Sequence, residues 1–371
     1  MGKENFYRAA FDPQESDSVQ GKKRPTMSDI AARVGVSHAT VSLVLNEAPG
    51  KRVSAEVRKQ VLTVASQLGY EKAMPANEAI SGIIVLLIDD LTASHHAAPL
   101  IEGVREAAEL HGLAAITAVT GGQVEFADSI LGYLGKRQIV GVIYATLITQ
   151  AVPVLPPRLE GYPTVLLNCH HQRSEYSSVI PGDMAGGFAA TEALIKAGHR
   201  RIGMINAGER RLEASRDRLN GYRQALTTYD IAVDPDLIVT GAWSLELGRE
   251  RMFELLRLRN PPTAVFCFSD RVAMGAYDAI RLSGLKTPED ISVVGFDDES
   301  LANKILPPLT TVKLPHEEMG QWAVDELLAR IAQPGKGPTR LKMECRLILR
   351  ESVSPLASVG ADAQTTPAMS D

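Results

Sequence analysis

The most constraining feature of this chain is an alternation of apolar runs with amphipathic helical segments over residues 83–296. The runs are mostly apolar, and many of the helical segments between them end at a glycine. Continuous apolar strands that alternate with helices are typical of parallel sheets covered on both faces. The strand-like runs are IIVLLI (83–88), LAAITAV (113–119), IVGVIY (139–144), PTVLL (163–167), RIGMI (201–205), TAVFCF (263–268) and ISVVGF (291–296). One sheet typically holds about five or six strands, so we predict two similar α/β subdomains, each doubly wound.

A different pattern precedes these runs in residues 27–46, MSDIAARVGVSHATVSLVLN. Ile30 and Val34 lie at helical spacing, and Gly35 stands where a helix can end in a left-handed residue. Ser37 can then cap a second short helix. Two short helices joined in this way form a helix-turn-helix, whose second helix lies in the DNA major groove. The alternative is a short helical hairpin within a larger fold.

A third helix is predicted in VSAEVRKQVLTVASQLGY (53–70), where Ser54 is a good N-cap and Gly69 ends the helix. Three helices in this stretch predict a small all-α head. The segment that follows, 71–82, contains Pro75 and has no clean period. We therefore predict a linker between the head and the α/β body.

The distribution of charge supports two functionally different parts. The whole chain carries a net charge of −5, but residues 22–72 contain nine basic and four acidic side chains, a net of +5. The remainder therefore carries −10. A basic module on an acidic body is what a phosphate-binding head on a globular domain requires.

Cysteine usage and hydropathy bear on the compartment. Cys169, Cys267 and Cys345 are widely spaced and form no CxxC metal motif, which suits a reducing cytoplasm. No apolar run approaches the roughly 20 residues of a membrane helix, and residues 1–24 lack the apolar core of a signal peptide. We predict a disordered polar arm there, whose KKRP end is either a solvated charge run or a DNA-backbone contact.

Motifs in both parts resemble the LacI/GalR family of bacterial transcription regulators. In the head the resemblance is carried by TMSDIA (26–31), GVS (35–37), TVS (40–42), VLN (44–46) and RVSAEVRKQV (52–61). In the body it is carried by LIKAGHRRIGMI (194–205), SRDRLNGYRQAL (215–226), SDRVAMGAYDAI (269–280), ISVVGFDD (291–298), PPLTTV (307–312) and RLILRES (346–352). The resemblance implies a homodimer with a periplasmic-binding-protein-like core, which closes on a small effector between two subdomains.

The resemblance also implies which head residues contact operator DNA. It places base readout on His38, Ala39 and Leu43, and phosphate contacts on Ser37, Thr40, Ser42, Asn46 and Ser54. Family members often carry arginine where this chain has Leu43, so a strong guanine contact is missing. Ser37 and Ser54 can alternatively be helix caps only, and the two roles can coexist.

The linker departs from the family pattern. Where members carry a hinge-helix leucine that wedges into the minor groove, this chain has Ala79, which is too small to unstack a base step. We therefore expect a weakened hinge that bends the operator less.

For the effector cleft, the resemblance nominates His95, Arg218, Trp243, Ser269 and Asp297. An arginine and an aspartate can form charge-assisted hydrogen bonds with vicinal hydroxyls, and an indole face can pack against a sugar ring. We expect a sugar or sugar acid as effector. Asp297 can alternatively be a helix N-cap, and Trp243 a core aromatic.

Two short clusters suggest other chemistry. The pair His95-His96 suggests a metal, but adjacent side chains diverge and no third ligand lies at metal spacing, so a polar or acidic effector is the better interpretation. Cys169-His170-His171 suggests a nucleophile, but sequence neighbours seldom form a catalytic pair, and the end of a strand explains them better. We expect no cofactor and no metal.

These observations predict a sequence-specific DNA-binding transcriptional regulator, a repressor, acting in the bacterial cytoplasm and associated with the nucleoid. Its partners would be operator DNA, a small effector and a second copy of the chain, with no membrane. The alternative is a cytoplasmic carbohydrate-binding protein without DNA function. An enzyme is disfavoured because GxSxG, GxxxxGK, GxGxxG after a strand and HExxH are all missing.

The predicted organisation has five parts. They are an arm (1–24), the helix-turn-helix domain (25–70), a hinge or linker (71–82), the core (83–351) and a flexible tail (352–371). Within the core we assign about 83–181 and 313–338 to an N-subdomain, and about 182–312 and 339–351 to a C-subdomain. The tail lacks the leucine heptads of a tetramerisation helix, which favours a dimer.

Overall fold

The computed structural model describes residues 26–45, 53–68, 82–91, 97–135, 139–172, 175–208, 212–241 and 243–356. The chain divides into two compact units, Met1–Ala79 and Ile80–Asp371. The predicted arm (1–24), Asn46, His95, the tail beyond residue 356 and the linker apart from Gly82 lie outside the described residues. The hinge hypothesis at Ala79 therefore stays a prediction.

The described part of the first unit contains three helices, α1 (Met27–Val34), α2 (His38–Leu45) and α3 (Ala55–Leu68). Thr26 and Asp29 cap α1 reciprocally, since the Thr26 amide donates to the Asp29 carboxylate at 2.7 Å and the Asp29 amide donates to Thr26 Oγ1 at 3.4 Å. Gly35 ends α1 with φ +75°, the left-handed conformation that glycine adopts at low cost. The predicted turn is therefore confirmed.

A small core holds the three helices together. Ile30 of α1, Val41 and Val44 of α2, and Val61 of α3 are buried against one another. Their spacing leaves one apolar face on each helix, and a short helix needs such packing to be stable.

The second unit contains the α/β body. In chain order its elements are β1 (Ile83–Ile88), α4 (Ala97–Leu110), β2 (Ala114–Val119), α5 (Val124–Leu134), β3 (Ile139–Val152), β4 (Thr164–His171), β5 (Ser177–Pro181), α6 (Asp183–Lys196), β6 (Ile202–Asn206), α7 (Glu213–Thr228), β7 (Ile238–Thr240), α8 (Leu245–Leu256), β8 (Ala264–Cys267), α9 (Asp270–Leu282), β9 (Ser292–Val294), β10 (Thr311–Lys313), α10 (His316–Ala332), β11 (Arg340–Met343) and β12 (Arg346–Ile348).

A six-stranded sheet with the order β11-β5-β4-β3-β1-β2 forms the first subdomain, and all of its pairings are parallel. Alternate residues of β1 point to opposite faces. Leu86 packs with α4 and α10 on one face, whereas Leu87 packs with α5 on the other. The strand is apolar throughout because helices cover both faces.

A four-stranded parallel sheet with the order β7-β6-β8-β9 forms the second subdomain. Helices α8 and α9 pack on one face, and α6 and α7 pack on the other. Strands β10 and β12 form a separate antiparallel pair. The predicted fold class, a helix-turn-helix head on a body of two doubly wound subdomains, is confirmed.

The subdomain boundary near the C-terminus needs correction. Residues 339–351 were assigned to the C-subdomain, but β11 pairs with β5 at the edge of the first sheet. Its sequence RLKM carries two basic side chains, and a polar edge strand gives no apolar run from which a sheet can be inferred.

The tail prediction is also wrong at its beginning. Ser352 is fully buried, its hydroxyl donates to the Val293 carbonyl at 2.6 Å, and it accepts from the Thr310 amide at 2.7 Å. The Leu356 amide donates to the Ala197 carbonyl at 2.8 Å. Residues 352–356 are therefore part of the second subdomain, because buried backbone groups there need these partners.

Candidate DNA-binding and effector sites

The hydroxyls of Ser37 and Ser54 cap the helices that follow them. The Thr40 amide donates to Ser37 Oγ at 3.1 Å, and the Val57 amide donates to Ser54 Oγ at 3.3 Å. The side-chain oxygens of Ser37 and Thr40 lie 2.9 Å apart. Both serines are exposed, so capping leaves them accessible from solvent. The cap interpretation is confirmed, and a phosphate contact stays a prediction.

The predicted base-reading positions lie on α2. His38, Ala39 and Ser42 are within the helix, and Leu43 and Thr40 are half-buried. A half-buried leucine exposes only part of its side chain. Such a side chain can pack against a thymine methyl group more readily than it can insert between bases.

Exposed basic side chains accompany this helix in the same unit. Arg33 lies in the last turn of α1, and Arg58 and Lys59 lie in the first turns of α3. Exposed cations on a small helical unit supply the attraction to phosphate on which DNA affinity depends.

In the second unit, a cavity lies between the two subdomains, beyond the carboxyl ends of several parallel strands. It contains about 820 Å³ of empty space, part of which is continuous with solvent. Its lining residues are Leu147, Ile148, Thr149, Asn168, Pro181, Leu212, Ala214, Arg218, Trp243, Phe268, Ser269, Arg271, Asp297, Glu299, Leu314 and His316. Four of the nominated effector residues, Arg218, Trp243, Ser269 and Asp297, thus lie around one space.

Arg218 is the buried cation of this cavity. Its Nε donates to Asp183 Oδ1 at 2.7 Å, and its guanidinium also donates to the Phe268 carbonyl at 2.6 Å and to Asp297 Oδ1 at 3.4 Å. The guanidinium carbon lies 3.6 Å from the centroid of the Phe296 ring. This arrangement fixes the arginine with charge-assisted bonds and an aromatic face.

The approach of two helices makes the central ion pair possible. A Cβ atom at Gly187 of α6 would lie 2.5 Å from the Arg218 carbonyl oxygen of α7, so a larger residue would separate the helices. Burial lowers the pKa of Arg218, but the carboxylates of Asp183 and Asp297 outweigh it and hold the pKa above its usual value. Burial raises the pKa of Asp183, against the opposing effect of Arg218.

Asp297 lies in an irregular segment rather than at the start of a helix, so the N-cap alternative is wrong. Its φ is +114°, its amide donates to the Val312 carbonyl at 2.8 Å, and it forms an isolated bridge with Lys313. The neighbouring Asp298 pairs with Arg350 at 2.6 Å. An aspartate held at positive φ is strained, and such residues cluster at functional sites.

Trp243 is 40% exposed and lines the cavity, so the core alternative is wrong. Its ring meets Phe268 edge-to-face with 5.2 Å between the centroids. Ser269 lies beside them and caps α9, since its Oγ accepts from the Val272 amide at 3.3 Å. The short serine therefore contributes both to the helix start and to the cavity wall.

Comparisons with known proteins agree with this architecture. The model of "Bacterial regulatory proteins, lacI family" matches residues 26–72, and that of "Periplasmic binding protein-like domain" matches residues 191–353. The ribose operon repressor of Haemophilus influenzae is 34% identical over 334 residues, which cover 89% of this chain and 99% of that protein. The chain belongs to the LacI family.

Solved structures of LacI-family regulators have the same fold. The complex of the regulator CelR with cellobiose is 31% identical, with a TM-score of 0.61, and the match covers 89% of this chain and 100% of that one. The lac repressor dimer bound to operator and the anti-inducer ONPF is 26% identical, with a TM-score of 0.65 and coverage of 90% and 100%.

This membership decides between the functional classes. LacI-family members are DNA-binding transcription regulators rather than enzymes. The alternative of a carbohydrate-binding protein without DNA function is wrong, because the DNA-binding family model matches the head itself.

Sequence reasoning missed part of the cavity of this LacI-family chain. Asn168 is buried at φ +57°, its amide nitrogen donates to the Thr146 and Leu147 carbonyls, and its side-chain oxygen accepts from Thr149 Oγ1 at 2.7 Å. The other missed lining groups include Phe268, Arg271, Glu299 and His316. Asn168 directly follows the apolar run at 163–167, and a polar residue at the end of such a run was the available signal.

The Cys169-His170-His171 cluster lies at the end of β4, as predicted. Burial raises the pKa of the Cys169 thiol to about 12, which disfavours a nucleophilic thiolate. Within the described residues no group of histidine, cysteine, aspartate or glutamate side chains is arranged to hold a metal ion. The helices of the described part include none long and apolar enough to cross a membrane.

Proposed function

We propose that this protein represses transcription by binding a pseudo-palindromic operator as a homodimer, and that a small sugar or sugar derivative in the cavity controls this binding. The composition of the cavity walls carries the proposal. Thr149 and Asn168 belong to the first subdomain, whereas Arg218 and Asp297 belong to the second. A ligand that contacts both walls favours one relative placement of the subdomains.

The polar groups of the cavity suit a polyol. Asp297 can accept hydrogen bonds, Arg218 can donate them, and the side-chain oxygen of Asn168 can accept one more besides that from Thr149. Trp243 offers an aromatic surface for the C–H face of a ring. The names of two similar proteins, a ribose operon repressor and a cellobiose-bound regulator, support a sugar as the effector class.

In this proposal the head reads the operator through α2. His38, Ala39 and Leu43 meet base edges, and Ser37, Thr40, Ser42, Asn46 and Ser54 meet phosphates. His95 completes the effector set formed with Arg218, Trp243, Ser269 and Asp297. The protein acts in the bacterial cytoplasm, on the nucleoid.

Operator control follows from linkage between the two sites. Two heads of a dimer must match half-sites about one helical turn apart, so a shift in their spacing changes operator affinity. An effector that binds one placement of the subdomains more tightly than the other shifts the equilibrium between them. The operator affinity therefore changes by at most the ratio of the effector's affinities for the two placements. The similarity to an operator-bound lac repressor dimer supports the dimeric assembly.

The test is footprinting on genomic fragments selected by the full-length protein. We expect protection of two inverted half-sites about one helical turn apart, abolished when the half-site sequences are scrambled. A panel of sugars then identifies an effector by thermal shift, since a ligand stabilises the state it binds. Absence of a protected site, or a monomer at protecting concentrations measured by sedimentation, would overturn the proposal.

A further inference from the structure

The second arginine of the cavity is paired with an acidic side chain on the same wall. Arg271 lies in the first turn of α9, and its Nε donates to the two carboxylate oxygens of Glu299 at 3.0 and 3.3 Å. The Arg271 side chain is 43% exposed, whereas that of Glu299 is 8% exposed. Glu299 is therefore largely buried, whereas the arginine that it neutralises is partly exposed, and both line the cavity.

The position of Glu299 is fixed by its backbone as well. The Glu299 amide donates to Asp270 Oδ2 at 2.7 Å, and Asp270 Oδ1 accepts from Thr311 Oγ1 at 2.5 Å. Asp270 is fully buried at the start of α9, one residue before Arg271. The residue that neutralises Arg271 is thus anchored through its backbone amide, and its carboxylate is largely buried.

The deeper arginine is neutralised in the same way. Arg218 lies between Asp183 and Asp297, with side chains that are 4%, 3% and 6% exposed. Each of the two arginines that line the cavity therefore already faces at least one carboxylate. An anionic ligand would have to lose water in a site where the cationic charge is already compensated, which is strongly unfavourable.

We infer that the cavity takes an uncharged polyol and rejects the anionic derivatives of the same sugar, and that Glu299 is the residue that sets this selectivity. Hydroxyl groups need both donors and acceptors, and the paired arginines and carboxylates supply both without a net positive charge. The inference rests on the proposed effector function of the cavity and narrows the expected class from sugars and sugar acids to neutral sugars.

The experiment measures binding of matched probes to the full-length protein by isothermal titration calorimetry at about pH 8, where unperturbed histidine is neutral. The neutral probes are D-ribose, D-glucose and D-galactose, and the anionic probes are D-glucuronate, D-galacturonate and glucose 6-phosphate. We expect at least one neutral sugar to bind, and its anionic counterparts to bind at least about 100-fold more weakly.

The ratio of the affinities for a neutral sugar and for its acid then shows whether Glu299 sets the selectivity. Glu299→Gln keeps the side-chain shape but removes the charge, and it is expected to shift the affinity ratio toward the acid by at least about tenfold. Glu254→Gln is the matched control, because Glu254 pairs with Arg251 on α8 and does not line the cavity. Its ratio should equal that of the unmodified protein.

A second variant tests the inference if Glu299→Gln does not fold. Arg271→Gln is expected to shift the ratio in the opposite direction, further against the acids. Equal or tighter binding of an acid to the unmodified protein overturns the inference, and so does an unchanged ratio in both variants. If no neutral sugar binds, the inference is also overturned, whereas footprinting of the same preparation reports separately on operator binding.

Discussion

His170 and Glu213 join the two subdomains at the edge of the cleft. The Nε2 atom of His170, near the end of β4, lies 2.8 Å from the Oε2 atom of Glu213, the first residue of α7. The side chains are 31% and 15% exposed. This contact joins the first subdomain to the second. It can therefore form only in a relative placement of the subdomains that brings β4 and α7 together.

Removing the charge of Glu213 should therefore weaken effector binding. A partly exposed pair contributes about 0.5–1 kcal/mol, so Glu213→Gln is expected to lower affinity by about two- to fivefold. Calorimetry with the identified effector measures the change. Glu109→Gln, which removes a pair with Arg105 within α4, serves as control. An unchanged affinity for the Glu213 variant would show that the contact does not favour the ligand-bound placement.

Arg218 is expected to be essential for stability as well as for binding. Arg218→Ala leaves the buried carboxylate of Asp183 without its cation, which should lower the free energy of unfolding by about 3–5 kcal/mol. Urea denaturation followed by fluorescence measures this loss. The double variant Asp183→Asn with Arg218→Met should recover most of the stability but not effector binding. Equal stability of Arg218→Ala and of the double variant would show that the loss does not come from the unpaired charge of Asp183.

His199 makes the second subdomain sensitive to acid. Its ring contacts Thr263 Oγ1 at 2.9 Å, Ser292 Oγ at 3.0 Å and the Ser354 carbonyl at 3.2 Å. Burial lowers its pKa below the ordinary value of 6.5, against the raising effect of the Ser354 carbonyl.

Because the unfolded chain binds the proton more readily, the stability contributed by His199 is fully present above about pH 6.5. It is lost as the pH falls through the lower pKa of the folded state. Thermal unfolding between about pH 5 and 8 should show a steeper acid loss for the unmodified protein than for His199→Gln. Parallel curves would contradict this assignment.

Ser37 can be tested for its two roles separately. Ser37→Ala removes the cap of α2 and should destabilise the head by about 1 kcal/mol. Ser37→Asp retains a capping oxygen but repels phosphate, so stability should hold while operator affinity falls. Fluorescence anisotropy at two salt concentrations measures the affinity. Equal affinity of Ser37→Asp and the unmodified protein would leave Ser37 as a cap only.

The local patterns of the sequence predicted the main elements correctly. Continuous apolar runs predicted the parallel strands because covered sheets exclude polar residues from both faces. The bounds of the strands differ from those of the apolar runs. Strand β4, for example, extends to His171, beyond the predicted end at 167, because its pairing with β3 continues there. Strand β7 was missed because it has only three residues, and β11 was missed because a half-exposed edge strand carries little apolar signal.

The sequence by itself determined the helix-turn-helix, through Gly35 and the capping serines, because capping and turn chemistry act within a few residues. It also nominated Arg218 and Asp297 through resemblance. Only the tertiary structure decided that Asp183 neutralises Arg218, that Glu299 neutralises Arg271, and that Ser352 is buried and accepts a hydrogen bond from the Thr310 amide. Burial and charge compensation depend on residues far apart in the chain, and no local pattern encodes them.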